Sequence, residues 1–185
     1  MQFRFVVVLG LAALCAASCS NSKTGSQTAT EGPDSTAAMT PVQRGAYLVT
    51  VTGCHDCHTP GGMYGAPDMS RQLSGSELGW QGPWGVSYAL NLTPDQTTGL
   101  GSWTDEEILN AMQKGVKKDG SPIAPPMPWP DLAHLTRADA MAIVAYLRSI
   151  PPIPHQVPPR VAPGGHASGS IVTFPPPPEW DKPRG

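Results

Sequence analysis

Residues 50–60 read TVTGCHDCHTP and contain a Cys-x-x-Cys-His motif formed by Cys54, Cys57 and His58. Three kinds of site use cysteines at this spacing: a structural zinc site, a thiol–disulfide exchange site and a covalent attachment site for haem. Each belongs to a different kind of fold, so the residues around the motif determine which fold to expect.

A zinc site and a thiol exchange site both find little support around the motif. Structural zinc takes four nitrogen or sulfur ligands, but no second closely spaced pair of cysteine or histidine follows, and His134, His155 and His166 are scattered. A thiol exchange site starts a helix after a strand, in a chain of alternating strands and helices. Here the motif follows a predicted helix and leads into a loop. Both readings stay open as minor alternatives.

The features of the chain favour haem attachment. Two thiols at this spacing can bond to the vinyl groups of a haem, and the adjacent histidine then binds the iron. Residues 59–102 are rich in glycine, proline, serine and tryptophan and show little periodicity. So long a loop is unusual in a compact domain unless a large apolar group fills the core. We therefore predict one haem c, bonded to Cys54 and Cys57 and ligated by His58.

The N-terminal region predicts export. An apolar run follows Arg4 and is too short to cross a bilayer, which indicates a signal peptide over residues 1–18. The letters AASC before residue 20 resemble a bacterial lipobox, so we expect Cys19 to be acylated; ordinary cleavage that leaves Cys19 as a free thiol is the alternative. Residues 19–39 have the composition of a flexible tether. The predicted location is the periplasm, with a lipoprotein anchor in the membrane.

The folded region is predicted over residues 40–153, followed by a proline-rich C-terminal tail at 154–185 that is extended on the surface or disordered. Helix-start signals occur at Thr40–Pro41, in the capping box of Thr104 and Glu107, and at Thr136. The second helix should stop near Gly115, and the last before Pro151. The predicted apolar faces are Ile108, Leu109, Met112 and Val116 in the second helix, and Ile143, Val144 and Leu147 in the last. The predicted fold is all-α, with a few helices and long loops around the haem.

A sixth ligand to the iron is expected from the sequence SPIAPPMPWPDL, residues 121–132. Prolines on both sides of Met127 stiffen this loop, so little entropy is lost in holding the thioether near iron. Met63 and Met69 lie too close to Cys57 in sequence to reach the opposite haem face easily. We predict Met127 as the ligand; His134 is the second choice and a five-coordinate iron the third.

The motifs together resemble the class I cytochrome c family, and in particular the cytochrome c modules of haem subunits in bacterial membrane dehydrogenases. The resemblance covers residues 42–152 and rests on CHDCH, PPMPW and LTRADAMAIVAYLRSIPP. It implies thioether bonds at Cys54 and Cys57 and axial ligation by His58 and Met127. It also implies that a loop from Asn91 to Pro94 passes near the haem, and that the first helix crosses the last where Gly45 and Tyr47 meet Tyr146. Those subunits carry several haem modules, whereas this chain has one attachment motif.

These features predict an electron carrier and not an enzyme. Both axial positions would be filled by protein, which leaves no site for substrate on the iron. The expected partners are a dehydrogenase donor and a cytochrome or oxidase acceptor. The alternatives are a haem enzyme or gas sensor with a displaceable sixth ligand, and a fixed haem subunit of a larger oxidoreductase. The formal net charge of −2 and the lack of a basic run exclude nucleic acid as a partner.

Overall fold

Thr40 begins the first helix of the computed structural model, which describes residues 39–176. The hydroxyl of Thr40 accepts a hydrogen bond from the backbone N–H of Gln43, and the Gln43 side chain accepts one from the backbone N–H of Thr40. This reciprocal pair satisfies donors that a helix N-terminus would otherwise leave free. The predicted start of the helix at Thr40 is confirmed. The predicted signal peptide, tether and acylated Cys19 lie outside the described residues.

In residues 39–176 the chain forms five helices and one small sheet. The helices are α1 (Pro41–Val51), α2 (Cys54–His58), α3 (Asp105–Lys114), α4 (Trp129–Leu132) and α5 (Arg137–Ser149). The strands are β1 (Gly79–Gly82), β2 (Gly85–Tyr88) and β3 (Ile171–Thr173). Short 3₁₀ turns occur at Gly62–Tyr64 and Met69–Arg71. None of the helices in this part of the chain combines the length and the apolar character needed to cross a membrane.

Helices α1 and α5 cross at Gly45. A Cβ atom at this position would lie 2.0 Å from the carbonyl oxygen of Ala142 and 2.7 Å from Cβ of Tyr146, so the two backbones approach more closely than any side chain would allow. Beside the crossing, Arg44 donates to the carboxylate of Asp139 at 2.9 Å. The predicted crossing of Gly45 with Tyr146 is confirmed. Tyr47 is 45% exposed, and its contact with Tyr146 stays a prediction.

Helix α3 packs beside this pair. Its predicted capping box is present, since Thr104 accepts from the N–H of Glu107 and the Glu107 carboxylate accepts from the N–H of Thr104. Gly115 ends it in the left-handed conformation, at φ 65°. The predicted burial of Ile108, Leu109 and Met112, and that of Ile143, Val144 and Leu147 in α5, is confirmed. The prediction for Val116 is wrong: it is 41% exposed, because the turn at Gly115 takes the chain off the helix before Val116 can join the apolar face.

The prediction of an all-α fold is wrong in one respect, because a three-stranded sheet with the order β2-β1-β3 is present. Strands β1 and β2 form an antiparallel pair joined by a tight turn, with Gly82 opposite Gly85. Strand β3 comes from the proline-rich tail and pairs with β1 in parallel, with Trp80 opposite Val172. The region 59–102 is therefore not devoid of regular structure. Its strands are short and rich in glycine, so they show no alternation of apolar and polar residues.

Candidate haem site

The Cys-x-x-Cys-His motif forms the short helix α2 directly after α1. Gly53, at φ 67°, makes the left-handed turn that separates the two helices. Residues three and four apart share one face of a helix, so Cys54, Cys57 and His58 lie close to one another. The two cysteines are not joined by a disulfide. The motif therefore presents two thiols and an imidazole on the same side of the chain.

The imidazole of His58 is held with one nitrogen available. Its Nδ1 lies 2.7 Å from the carbonyl oxygen of Leu90. A carbonyl oxygen can only accept a hydrogen bond, so Nδ1 must carry the proton and Nε2 keeps its lone pair. Burial lowers the pKa of His58, an effect that the hydrogen bond to Leu90 opposes and the neighbouring His55 reinforces. His58 is thus prepared as a neutral nitrogen ligand whose orientation is fixed by its second nitrogen.

The surroundings of the motif raise the pKa of both of its thiols. Burial raises the pKa of both Cys54 and Cys57, and the charge on Asp56 raises both further. The hydroxyl of Thr52 lies 3.4 Å from Sγ of Cys54 and is its hydrogen-bond partner. A raised pKa is the opposite of what a reactive exchange thiol needs. The environment thus argues against the thiol exchange site considered from sequence.

The motif opens onto a cavity of about 470 Å³, a size typical of cofactor pockets. Cys54, Cys57 and His58 lie on its wall together with Met127. Helices α1, α3, α4 and α5 and the loops between them contribute apolar side chains, among them Val49, Leu92, Leu100, Trp103, Ile143 and Leu147. The four residues predicted to hold and ligate a haem are thus brought to one apolar cavity from positions up to 73 residues apart in sequence.

The loop that carries Met127 is fixed at several points. The N–H of Ile123 donates to the carbonyl of Gly115 at 2.8 Å, and the N–H of Trp129 donates to the carbonyl of Met127 at 2.9 Å. The ring of Trp129 covers Gly115, where a Cβ atom would come within 2.5 Å of it. The hydroxyl of Ser87 in β2 donates to the carbonyl of Pro125. The loop is held in one conformation by its neighbours as well as by its prolines.

Two other methionines also reach the cavity wall, namely Met63 and Met112. Met63 follows α2 closely, and a Cβ atom at the neighbouring Gly62 would lie 2.2 Å from the carbonyl oxygen of His55, so the backbone beside Met63 packs against α2. Met112 is buried in α3 as part of the core. Met127 is the methionine of the three that lies on a separate loop. The second choice for the ligand, His134, is exposed and is not among the residues that line the cavity.

Asn91 and Pro94 occupy a different place from the other predicted site residues. Neither lines the cavity, whereas their neighbours Leu90 and Leu92 do. The side-chain amide of Asn91 is buried and donates to the carbonyl of Ile153 at 2.8 Å. The loop therefore reaches the cavity through Leu90 and Leu92, and a direct role of Asn91 or Pro94 in binding haem stays a prediction.

Sequence reasoning missed several residues on the cavity wall. Tyr88 comes from the small sheet, and Pro158 and Arg160 come from the tail. Nothing in their local sequence marks them, because the pairing of distant strands brings them to the site. The density of tryptophan between residues 80 and 103 was the available signal, and Trp80 and Trp103 do line the cavity.

Comparison with known families gives this geometry a context. The family model for cytochrome c matches residues 42–151, more than half of the 185 residues. The chain belongs to the cytochrome c family. The matched region contains the motif in α2, the Met127 loop and helix α5, and it ends before the tail. The residues of this cytochrome c domain fit a covalently bound haem: paired thiols, a histidine with a free nitrogen, and an apolar cavity.

Several curated relatives share the domain. The cytochrome c subunit of alcohol dehydrogenase (quinone) from Gluconacetobacter polyoxogenes is 36% identical over 114 residues, which is 62% of this chain and 22% of that protein. The fructose dehydrogenase cytochrome subunit of Gluconobacter japonicus is 30% identical over 118 residues, or 64% of this chain and 23% of that protein. A diheme cytochrome c-type protein of Cereibacter sphaeroides is 30% identical over 113 residues, or 59% and 36%. The chain thus spans about a fifth to a third of the length of these relatives.

Proposed function

We propose that this cytochrome c domain carries single electrons through one covalently attached haem with His58 and Met127 as axial ligands. The observation that carries the proposal is that both predicted ligands and both anchoring cysteines lie on the same apolar cavity. Bound there, the haem supplies one-electron chemistry by cycling its iron between ferric and ferrous states. The family and the single Cys-x-x-Cys-His motif support one haem in this chain.

The residues of the chain set the conditions for that chemistry. The Leu90 carbonyl orients His58 and fixes the proton on Nδ1, burial lowers the pKa of His58, and the fixed loop presents Met127 with little entropy lost in ordering it. A thioether is a soft ligand that favours ferrous iron, and a dry apolar wall does so too, because it disfavours the extra charge of the ferric form. We expect a positive midpoint potential in a redox titration. A strongly negative potential would contradict the His/Met ligation.

Carbon monoxide added to the reduced holoprotein tests the electron-carrier function. A carrier with both axial positions occupied keeps its spectrum, since carbon monoxide has no open site on the iron. Rapid binding would instead support a haem enzyme or a gas sensor in which the sixth ligand leaves. The same sample can be titrated for its potential, so both measurements refer to one preparation.

The choice of Met127 is tested by comparing three methionine variants. Met127→Ala should abolish the weak near-infrared band that arises from sulfur coordinated to ferric iron. Met63→Ala and Met112→Ala are matched controls, because both residues also line the cavity, and each should retain the band. If Met127→Ala retains the band and one of the two control variants loses it, the methionine replaced in that control is the ligand.

We further propose that the donor is a dehydrogenase and that the acceptor is a cytochrome or an oxidase. The relatives support this, since their names describe cytochrome subunits of dehydrogenases. The same names support the alternative that this chain is a fixed haem subunit of a larger oxidoreductase. We also propose a periplasmic location with acylated Cys19 as a membrane anchor, on the basis of residues 1–39. Affinity purification from native membranes, followed by mass spectrometry of the N-terminal peptide, would test partner and anchor together.

A further inference from the structure

The tail after α5 is attached to the cytochrome c domain along its length. Directly after the helix, the carbonyl of Ile153 accepts from the buried Asn91 side chain, and the N–H of Ile153 donates to the Thr93 hydroxyl at 3.1 Å. The ring of His155 contacts the Ser74 carbonyl through Nδ1 and the Glu77 carboxylate through Nε2, both at 2.8 Å. This first attachment is made by residues 153–155, shortly after α5 ends at Ser149.

Two more attachments join the tail to the small sheet. Val161 and Val86 exchange two backbone hydrogen bonds of 2.9 Å as an antiparallel bridge. Further on, β3 pairs with β1, and the ring of Phe174 packs against Trp80 and Trp84 at centroid distances of 6.1 and 5.7 Å. The segment 153–174 is therefore a strap that is held at both ends and in the middle. The family match at 42–151 does not include it.

The strap passes over the cavity between its first two attachments. Val157 is buried against Gly75, where a Cβ atom would lie 2.5 Å from its Cγ1. Pro158 and Arg160 then line the cavity that contains the cysteines and His58. A segment from outside the shared domain thus forms part of the wall around the cofactor site.

Arg160 is placed to hold a negative charge at this wall. Its Nη2 donates to the carbonyl of Trp84 at 2.8 Å, which uses one of the five N–H donors of a guanidinium group. Within residues 39–176, no carboxylate forms an ion pair with Arg160. Apart from the motif itself, the charged or titratable groups on the cavity wall are Asp56, Tyr88, Lys117 and Arg160. Arg160 and Lys117 are thus the two cations available to the carboxylate groups that a haem carries.

We infer that residues 153–174 form a strap that closes the haem cavity, and that Arg160 is the positioning residue by which the strap holds a haem carboxylate. The inference rests on the proposed haem binding. A guanidinium group suits a carboxylate because two of its N–H groups can bind both oxygens at once. The hydrogen bond from Arg160 to the Trp84 carbonyl restrains the side chain, which reduces the entropy lost when the guanidinium pairs with a carboxylate.

The charge of Arg160 should appear in the redox behaviour of the holoprotein. A nearby cation stabilises the more negative, ferrous state and keeps a haem carboxylate ionised. Arg160→Gln should therefore lower the midpoint potential at pH 7. The midpoint potential falls with pH once the haem carboxylate ionises, and the pH at which this fall begins should rise by about one unit in Arg160→Gln. Loss of a nearby cation raises the pKa of a carboxylate by about one to three units, and the lower end of that range applies because Arg160 is exposed. Arg160→Lys should recover part of both shifts.

Two control variants separate this effect from general loss of charge. Arg137→Gln removes an exposed cation that pairs with Glu106 and does not line the cavity, so its potential and pH profile should match the wild type. Lys117→Gln removes the other cation on the wall. If Lys117→Gln produces the whole shift, or if the profile of Arg160→Gln coincides with that of the wild type, the role of Arg160 is overturned.

Hydrogen exchange in the wild-type holoprotein tests the strap itself. The amides of Val161 and Val86 should be protected, because each donates across the bridge between tail and sheet. Exchange of the Val161 amide at the rate of an unstructured peptide would overturn the strap, whatever the spectrum of the iron. If the spectrum of the wild-type protein lacks the sulfur-to-iron band, the proposed His/Met ligation is contradicted. The hydrogen-exchange result for the strap is independent of that spectrum. The failure of one proposal is thus distinguished from the failure of the other.

Discussion

Replacing Gly45 by alanine sets two physical effects of opposite sign against each other. In an isolated helix alanine is favoured over glycine by about 1 kcal/mol, so propensity alone predicts a more stable protein. In the fold, the added Cβ would lie 2.0 Å from the Ala142 carbonyl oxygen, whereas real Cβ contacts essentially never fall below 3.0 Å. Helices α1 and α5 would have to separate by about 1 Å, and backbone cannot yield as a flexible side chain does.

We expect the clash to prevail. Forcing atoms into a packed core costs about 1–3 kcal/mol, and a contact with rigid backbone belongs at the upper end of that range. After the gain in helix propensity, Gly45→Ala should lower the free energy of unfolding by about 2 kcal/mol, roughly a 30-fold change in the ratio of folded to unfolded protein. The shift should also reach the cavity, since α1 contributes Val49 to its wall and α5 contributes Leu147.

Urea unfolding of the oxidised holoprotein, followed by far-ultraviolet circular dichroism and by the haem absorption band, measures this change. Thr50→Ala is the matched control, because Thr50 lies exposed on the same helix and should change the free energy of unfolding by no more than about 0.5 kcal/mol. An increase in stability of about 1 kcal/mol for Gly45→Ala would refute the reasoning, since it would mean that propensity acts there without a close helix crossing.

Three further substitutions test other parts of the fold by the same unfolding assay. Asn91→Ala removes a buried amide that binds the Ile153 carbonyl and should cost about 2–3 kcal/mol through unpaired polar groups. Thr104→Ala removes the hydroxyl that caps α3 and should cost about 1 kcal/mol. The hydrogen bond from Arg44 holds the pKa of Asp139 in the folded protein below its usual value. Ionised Asp139 therefore stabilises the fold fully at pH values above its ordinary pKa of about 3.9, and this stabilisation is lost as the pH falls through the lower pKa of the folded state. The advantage of the wild type over Asp139→Asn should accordingly be largest at pH 7 and shrink below about pH 4.

These three predictions share one control and have separate contrary outcomes. Gln96→Ala changes an exposed residue and should leave the unfolding curve within about 0.5 kcal/mol of the wild type. A near-neutral Asn91→Ala would mean that water replaces its hydrogen bonds to the tail. For Thr104→Ala, unchanged stability would show that α3 is held by packing alone. A wild-type advantage over Asp139→Asn that stays constant down to pH 2 would show that the ion pair with Arg44 contributes no stability.

The helices could be predicted from sequence because their signals are local. The capping residues Thr40, Thr104 and Thr136 each act on a backbone N–H three residues away, and each starts a helix as predicted. The motif in α2 is equally local, since its thiols and imidazole are neighbours in sequence. Val116 was assigned wrongly because periodicity continued the helix past a glycine that ends it.

The sheet and the tail could not be predicted because their partners are far apart in sequence. Gly79 in β1 pairs with Ile171 in β3, and neither strand has four residues of alternating pattern. The same distance explains why Arg160 was missed on the cavity wall. The proline content of the tail predicted an extended chain, and the described part of the tail is extended. The same composition gave no information on where the tail attaches to the domain. Its attachment depends on buried hydrogen-bonding groups such as Asn91 and Thr93 in the main domain.

The hydroxyl of Ser87 in β2, which donates to the carbonyl of Pro125, has a consequence for the speed of electron transfer. Transfer is fastest when the atoms around the iron move little as its charge changes, so that little energy is spent on reorganisation. Through Ser87 and Gly115, the Met127 loop is fastened to the sheet on one side and to the end of α3 on the other. Substituting Ser87 with alanine should therefore slow electron self-exchange, measured by NMR line broadening, while the potential changes little.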